Sequence, residues 1–447
     1  MSSFRLCFPR RLDGQNGFAF EYDVPGLGAF TETVIFPDEA RFDRLDRSVL
    51  AGLVRMAAIL IGTSYYKAAP AKLIEPDFAL SDAERRLVEL AYGPGLGEFY
   101  VRNDLPYPPD FTIKAEPRMA QLRAPVIKTE DVRAAVAFGG GKDSHVAASL
   151  IKASGADVER VSLILSESVG ERLVAMSEAP VTLIRRRIDP RLIELGRSGR
   201  ALNGHIPITG VNSCLMALYA AAKGLDWVVF ANERAASEPT MESNGHPVNH
   251  QFSKSLEFED ALRAAFTAIN APVTYFSILR PVSELWTAHY LATAGEAALD
   301  IFASCNRNFV FAGPNALPKG KRWCGACAKC VYTAVLLAPF LSVERHERVF
   351  QSKPLHNPEN LDFLREIAGL TDAKPWECVG ERREVAAALA HLLTDADWAK
   401  APLIQAIEPE LFSHWAREDL QQAWAEALDA RSEHRMPAPV AQLMAAS

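Results

Sequence analysis

Three glycines followed by a cation, an anion and a hydroxyl, Gly139-Gly140-Gly141-Lys142-Asp143-Ser144, stand between a short apolar run at 134–138 and an apolar stretch of helical spacing at 146–151. Glycine lets the backbone turn sharply and bring its N–H groups close to a ligand, and the N-terminus of the helix that follows favours an anion. The chemistry expected of this strand, loop and helix is phosphate binding. The spacing is not that of a Walker A loop, which needs four residues between its glycines and a Gly-Lys-Ser/Thr ending. Nor is it Gly-x-Gly-x-x-Gly, because position 144 is serine.

Four further constellations carry chemistry. Asn203-Gly-His-Ile-Pro-Ile-Thr precedes a helix expected over 214–223, capped by Asn212 or Ser213, whose N-terminus offers a second anion site. His205 there is a candidate general base or a loop-stabilising histidine, and Cys214 a weaker candidate for catalysis, since a lone helical cysteine is commonly a small buried hydrophobe. Asn232-Glu233-Arg234-Ala-Ala-Ser-Glu238 packs both signs of charge beside small residues. There Arg234 would hold a carboxylate by a bidentate pair, and Glu233 would bind Mg²⁺ or abstract a proton; a surface salt bridge is the bland alternative. The polar loop Asn249-His250-Gln251-Phe252-Ser253-Lys254-Ser255 is less decisively placed.

Cys324-Gly-Ala-Cys327-Ala-Lys-Cys330 overlaps two Cys-x-x-Cys pairs, and Cys305 upstream is the candidate fourth ligand. Four thiolates suit a structural Zn²⁺ or an iron–sulfur cluster, and a thiol doing acid/base chemistry is the third possibility. Lys319 and Lys321, just before the cluster, make a basic patch suited to a pyrophosphate or a carboxylate.

Alternating strands and helices should position these groups. Strands are expected at 134–138, 161–165, 181–185, 227–231 and 309–312, the pattern of a parallel sheet, in which ligands bind at the carboxyl ends of the strands. That rule collects the glycine loop, Ser166, the arginines at 185–187 and the segment from Asn232. Before this α/β domain, 4–38 alternates with glycine turns like a small β-structure, and helices are expected at 43–60 and, capped by Ser81, at 81–92. Three regions are expected: an α+β domain at 1–124, a nucleotide-binding domain at 125–345, and helices at 346–447, with the residues from Arg431 on frayed.

With 447 residues, 49% hydrophobic and 23% charged, the chain has the composition of a globular protein of two or three domains. A net charge of −7 argues against bulk nucleic-acid binding. No signal peptide is evident, and the longest apolar stretches, such as 331–341, are too short to span a bilayer, so a cytoplasmic protein without membrane association is expected. Seven cysteines, three of them tightly clustered, fit metal binding in a reducing compartment.

The loop resembles the Ser-Gly-Gly-x-Asp-Ser loop of the PP-loop ATP pyrophosphatases, with Gly139 where serine is usual. The motifs together, including Trp323-Cys-Gly-Ala-Cys-Ala-Lys-Cys330 and Lys374-Pro-Trp-Glu-Cys-Val-Gly380, resemble the ATP-dependent UDP-N-acetylmuramoyl-L-alanyl-L-glutamate epimerases, the MurL type. The resemblance implies a PP-loop parallel-sheet domain. It also implies a reaction that inverts the terminal glutamate of UDP-MurNAc-L-Ala-L-Glu, with ATP and Mg²⁺, to give AMP and pyrophosphate. Adenylating the α-carboxylate acidifies the α-hydrogen, which explains the use of ATP in a proton transfer. On this resemblance Gly139, Gly140, Gly141, Lys142, Asp143, Ser144 and Ser166 would contact the nucleotide, with Asp143 and Ser144 catalytic. Asn203, Arg234, Lys319 and Lys321 would contact the substrate, and His205, Glu233 and Cys214 would be the proton-transfer candidates, in that order. Two other classes share the loop: a PP-loop synthase of the 7-cyano-7-deazaguanine or tRNA-modification type, and a nucleotide-binding sensor that does not split ATP.

Overall fold

The computed structural model describes residues 3–120, 127–311, 313, 315–371, 376, 377, 379–429 and 433–446. Thirteen strands are formed among them: β1 (Ser3–Leu6), β2 (Arg10–Arg11), β3 (Gly17–Val24), β4 (Gly28–Ile35), β5 (Leu73–Pro76), β6 (Thr112–Ile113), β7 (Arg133–Ala137), β8 (Asp157–Ile164), β9 (Val181–Arg187), β10 (Trp227–Phe230), β11 (Met241–Ser243), β12 (His246–Val248) and β13 (Thr274–Ser277). All but the β11–β12 hairpin join one sheet, in the order β13-β10-β7-β8-β9-β4-β3-β1-β5-β6, with β2 also paired to β3. The five strands from β13 to β9 are mutually parallel. This confirms the α/β class, and the order places a topological switch point between β7 and β10, where such sheets bind ligands.

The centre of the sheet, β7 and β10, is buried on both faces because these strands are apolar at successive positions. Ala134 and Val136 of β7, with Trp227 and Val229 of β10, join one core, and Ala135 and Val228 between them join the other. Side chains alternate across a strand, so the two cores lie on opposite faces. The first core takes in the helix Lys142–Ala153 and the helices beyond residue 328, and the second takes in the helices Arg47–Tyr66, Ile208–Lys223 and Leu256–Ala268.

The strands before residue 40 extend the same sheet: β4 pairs antiparallel with β9, Val34 opposite Arg186. The seam holds a buried ion pair, Arg186 Nε to Glu32 Oε1 at 2.7 Å, with the Tyr65 hydroxyl donating to Glu32 Oε2 at 3.1 Å. Extra hydrogen bonds of this kind offset the desolvation of a buried pair. The boundary expected near Ala124 falls outside the described residues.

Some expectations are corrected. Residues 309–311 are turn and coil, Ala312 is outside the described residues, and the fifth parallel strand is β13. The helix expected over 43–60 is Arg47–Tyr66, with Asp46 accepting from Ser48 and Val49 N–H as its cap. It is long and apolar enough to cross a bilayer by composition, longer than the apolar stretches singled out in the sequence, and most of its residues are buried in the second core. The helix starting near 214 begins instead at Ile208, which places Asn212 and Ser213 inside it. The segment expected to fray carries the helix Ala438–Ala446, pinned because Val440 and Met444, four residues apart, are both buried in the first core.

Candidate active site

The glycine loop leaves β7 at the switch point and is fixed on both sides. Phe138 N–H donates to Val161 C=O at 2.9 Å, and Ala303 N–H donates to Gly140 C=O at 2.9 Å. Gly140 takes φ +72°, a left-handed conformation that other residues adopt at a cost. Gly141 caps the helix Lys142–Ala153 without a side-chain acceptor, so the first-turn N–H groups are left for a ligand. Ser144 Oγ donates to Gly141 C=O at 2.9 Å.

A cavity of about 610 Å³ opens beside the loop, at the carboxyl ends of β7, β8 and β10. Gly139, Gly141, Asp143 and Ser144 form one wall, Thr209 and Asn212 from the helix Ile208–Lys223 another, and Asn232, Lys254, Ser304 and Lys329 close it. The volume is in the range of small-molecule sites. Asn232 Nδ2 donates to Ser277 Oγ at 2.9 Å, tying the ends of β10 and β13 together.

Beneath the loop lies a charge cluster. Asp143, Glu233 and Glu284 bring carboxylate oxygens within 4.8 Å of one another, and the Lys142 ammonium is bonded to both Asp143 and Glu284. Lys142, expected among the nucleotide contacts, is 3% exposed and turned inward. Burial opposes its charge, but the two carboxylates win and raise its pKa above the usual lysine value. Burial likewise opposes charge on Asp143, yet Lys142, Lys329 and Lys254 hold its carboxyl below the usual range. Burial pushes Glu284 up to about 7, with Lys142 pulling the other way. Glu233 is fixed through its backbone: Arg280 Nη1 donates to its C=O at 2.8 Å, and Arg280 is itself paired with Glu259 at 2.9 Å. Three convergent carboxylates are the donor set a hard divalent cation such as Mg²⁺ takes, with Asp143 the one that faces the cavity.

The four cysteines do converge. Cys305, Cys324, Cys327 and Cys330 have sulfurs within 4.8 Å of one another, with Cys324–Cys330 at 3.6 Å and Cys327–Cys330 at 3.5 Å. Thiolates placed tetrahedrally around an ion about 2.3 Å away lie about 3.8 Å apart, so the donor set fits zinc. Cys305 is two residues from Ala303, which holds the glycine loop, and it lines the cavity itself.

A third cluster was not foreseen. Glu98 Oε2 lies 2.5 Å from His250 Nδ1 and 3.4 Å from His205 Nδ1. Burial and the neighbouring His250 push His205 down to about 4, against the pull of Glu98, so its imidazole is neutral at physiological pH. Glu98 stays below the usual range despite its burial, held there by His250 and Arg102.

Other expected site residues lie elsewhere. Cys214 is 0% exposed in the second core, and burial pushes its thiol well up, which suits packing and not proton transfer. Arg234 is engaged by Glu381, and Lys321 Nζ donates to Gln351 C=O at 2.8 Å. Lys319 is exposed. Ser166 caps the helix Glu167–Ala175 through Val169 N–H, and only the Val169 end of that turn reaches the cavity. Asn203 accepts from Lys67 Nζ at 2.7 Å in the His205 loop. In the motif at 374–380, Lys374, Pro375 and Cys378 are outside the described residues.

Two family signatures run along the chain. The MurL N-terminal domain matches residues 2–278 and the MurL C-terminal domain matches residues 301–422. The chain belongs to the MurL family. Curated relatives include a protein of Salinispora tropica named UDP-N-acetyl-alpha-D-muramoyl-L-alanyl-L-glutamate epimerase. It is 37% identical over 396 residues, covering 87% of this chain and 84% of its own length. A protein of the same name from Xanthomonas oryzae pv. oryzae is 35% identical over 432 residues, covering 95% and 93%. The MurL N-terminal match spans the glycine loop, both histidines and Glu98, and the C-terminal match spans the cysteine cluster.

Glu98, His250, Glu284 and Lys254 were missed as site residues. The polar loop at 249–255 was the one available signal, and it holds two of them. Glu98 and Glu284 sit in helix starts that look ordinary, and only the fold brings them to the site.

Proposed function

We propose that this MurL-family chain is an ATP-dependent epimerase of peptidoglycan precursor synthesis in the cytoplasm. It would convert the terminal L-Glu of UDP-MurNAc-L-Ala-L-Glu to D-Glu through adenylation of the α-carboxylate, releasing AMP and pyrophosphate. The observation that carries the proposal is the uncapped helix N-terminus behind Gly139–Gly141, opening on a switch-point cavity with three carboxylates beneath it.

In this reading the loop N–H groups and the first turn of the helix bind the β- and γ-phosphates. Asp143, with Glu233 and Glu284, would hold Mg²⁺, which supplies charge neutralisation at the phosphates when bound. Lys254 and Lys329 line the cavity and would offset the negative charge of the nucleotide and of the substrate carboxylate. Cys305, Cys324, Cys327 and Cys330 would hold Zn²⁺ as a structural brace behind the loop.

The test is incubation of the purified protein with ATP, Mg²⁺ and the L-Glu nucleotide in deuterated water. D-Glu product carrying deuterium at the α-carbon, with one AMP per ATP consumed, is expected. Conversion without solvent deuterium, or AMP release driven by tRNA or a purine-like substrate instead, would reject it.

A further inference from the structure

The epimerisation proposed above requires a group that takes a proton from carbon, and the cluster at Glu98 has the geometry for it. Glu98 is 4% exposed, and its Oε1 accepts from Arg102 Nη1 at 3.0 Å, which leaves Oε2 for the two imidazoles. Both histidines turn Nδ1 toward that one oxygen, with ring centroids 4.6 Å apart. Each ring therefore directs its Nε2 away from the carboxylate. The side chains of His205 and His250 remain 21% and 14% exposed, so the pair is accessible from one side.

The cluster is joined to the nucleotide cavity through sequence and charge. Thr209 and Asn212, in the first turns of the helix Ile208–Lys223 that follows the His205 loop, line the cavity. Lys254, four residues beyond His250, lines it too, and its charge acts on both Asp143 and His205. Histidine pairs with a carboxylate also bind metals, but two ligands about 2.0–2.2 Å from one ion at a tetrahedral angle lie about 3.3 Å apart. The 2.5 Å between Glu98 and His250 is a hydrogen-bond separation instead.

Resting on the epimerase reading, we propose that His205 and His250, held on the shared carboxylate of Glu98, form the proton-transfer unit for the glutamate α-carbon. His205, neutral, removes the α-proton at Nε2. The C–H bond breaks, its electron pair passes into the activated carboxyl group as an enolate, and the imidazole holds the proton until it passes to solvent; a proton from water added to the opposite face of the enolate restores the C–H bond with inverted configuration. His250, bonded to the same Glu98 oxygen, packs beside the base, and Glu98 is the positioning residue that fixes both rings. Charged groups facing the pair are Arg102 on the helix of Glu98, Lys67 beside Asn203 and Gly204, and Lys254.

The experiment separates adenylation from proton transfer in the full-length protein. Substrate-dependent exchange of labelled pyrophosphate into ATP reports the first, and deuterium entry at the α-carbon reports the second. In His205→Gln and His250→Gln, α-exchange should fall about 100-fold or more while pyrophosphate exchange stays within about fivefold of wild type. In Glu98→Gln the α-exchange should fall and the acid limb of its pH profile should move to lower pH, because loss of the carboxylate makes the imidazoles less basic. A merely structural role would lower both rates without moving the limb. If wild type exchanges the α-proton and both glutamine variants still do, this assignment is overturned and the epimerase reading stands. Equal loss of both exchanges in a folded variant overturns it as well, since the histidines would then serve binding. If wild type shows pyrophosphate exchange but no α-exchange, both proposals fall.

Discussion

Arg234 closes a bidentate ion pair on Glu381, Nε to Oε1 at 2.7 Å and Nη2 to Oε2 at 3.0 Å. The pair joins the carboxyl end of β10 to the first turn of the helix Arg382–Leu392, where Glu381 is the cap. An arginine at a strand end beside a cavity suggests carboxylate binding, but here the carboxylate is the protein's own.

Arg234→Ala should therefore lower stability by about 1 kcal/mol, a value discounted because both side chains are 29% exposed. The double variant Arg234→Glu with Glu381→Arg should recover part of that loss in a denaturant titration. Were Arg234 a substrate ligand, Arg234→Lys would raise the KM for the nucleotide substrate and leave the unfolding midpoint where it was.

Lys142 is the counter-charge of the acidic cluster. Lys142→Met leaves Asp143, Glu233 and Glu284 facing one another without it, and breaking such a buried pair costs about 3–5 kcal/mol. Adding Glu284→Gln should recover a large part of this. Unfolding curves of the single and double variants check it, and equal stability of the two would show that Glu284 does not depend on Lys142.

Much of the parallel sheet could be read from sequence, because β7 and β10 are mostly apolar, β8 and β9 each contain a short apolar-rich stretch at 161–164 and 181–184, and the glycine loop marks the end of the first. β13, Thr274–Ser277, was lost because hydroxyl residues at both ends leave only Tyr275 and Phe276 as an apolar signal, whereas the four residues of β10 are all apolar, and Phe309 and Phe311 imitated a strand. The antiparallel seam of β4 and β9 joins residues about 150 apart, and no local pattern encodes such a pairing. The same limit applies to the site. The loop, Asp143, Glu233, His205 and the cysteines announce themselves by spacing, whereas Glu98, His250 and Glu284 acquire a role only when separate elements meet. Cys214 is different: its helix is buried almost all round, so the thiol packs in the core whatever its intrinsic reactivity.

Zinc in the cysteine cluster should behave as part of the fold. The purified protein is expected to hold about one zinc per chain, and Cys330→Ser should lose it and lower the thermal midpoint, since metal affinity is coupled to folding. Elemental analysis with a thermal melt decides this. A variant that lacks zinc yet melts like wild type would show that the thiols only pack.

Glu384 gives stability a pH dependence of defined sign. Burial, with Glu381 and Glu284 nearby, pushes its carboxyl up to about 8 from an ordinary value of 4.5. Between those values the folded protein keeps a proton that the unfolded chain has released. The stability Glu384 contributes is thus fully present below pH 4.5 and is lost as pH rises through 8. Glu384→Gln, which cannot ionise, should remove this slope, changing stability relative to wild type by about 2–4 kcal/mol across the window. Thermal midpoints from pH 5 to 9 test it, and parallel curves for the two proteins would reject it.

Adjacent glycines of the loop should respond in opposite ways to a side chain. At Gly139 a Cβ would meet nothing within 4 Å, and its backbone is outside the left-handed region. Gly139→Ser should therefore fold with stability within about 0.5 kcal/mol of the parent. If the loop cradles the phosphates of ATP as proposed, the added hydroxyl supplies one hydrogen bond of about 0.5–1.5 kcal/mol and lowers the KM for ATP about 2- to 10-fold. At Gly140 the backbone is left-handed and a Cβ would run into the Met176 side chain. Gly140→Ala should cost about 1–3 kcal/mol and misplace the N–H groups of the cradle, so ATP affinity should fall with stability. Equal effects at the two positions, measured by ATP titration and thermal melts, would show that the loop does not hold phosphate in the conformation described.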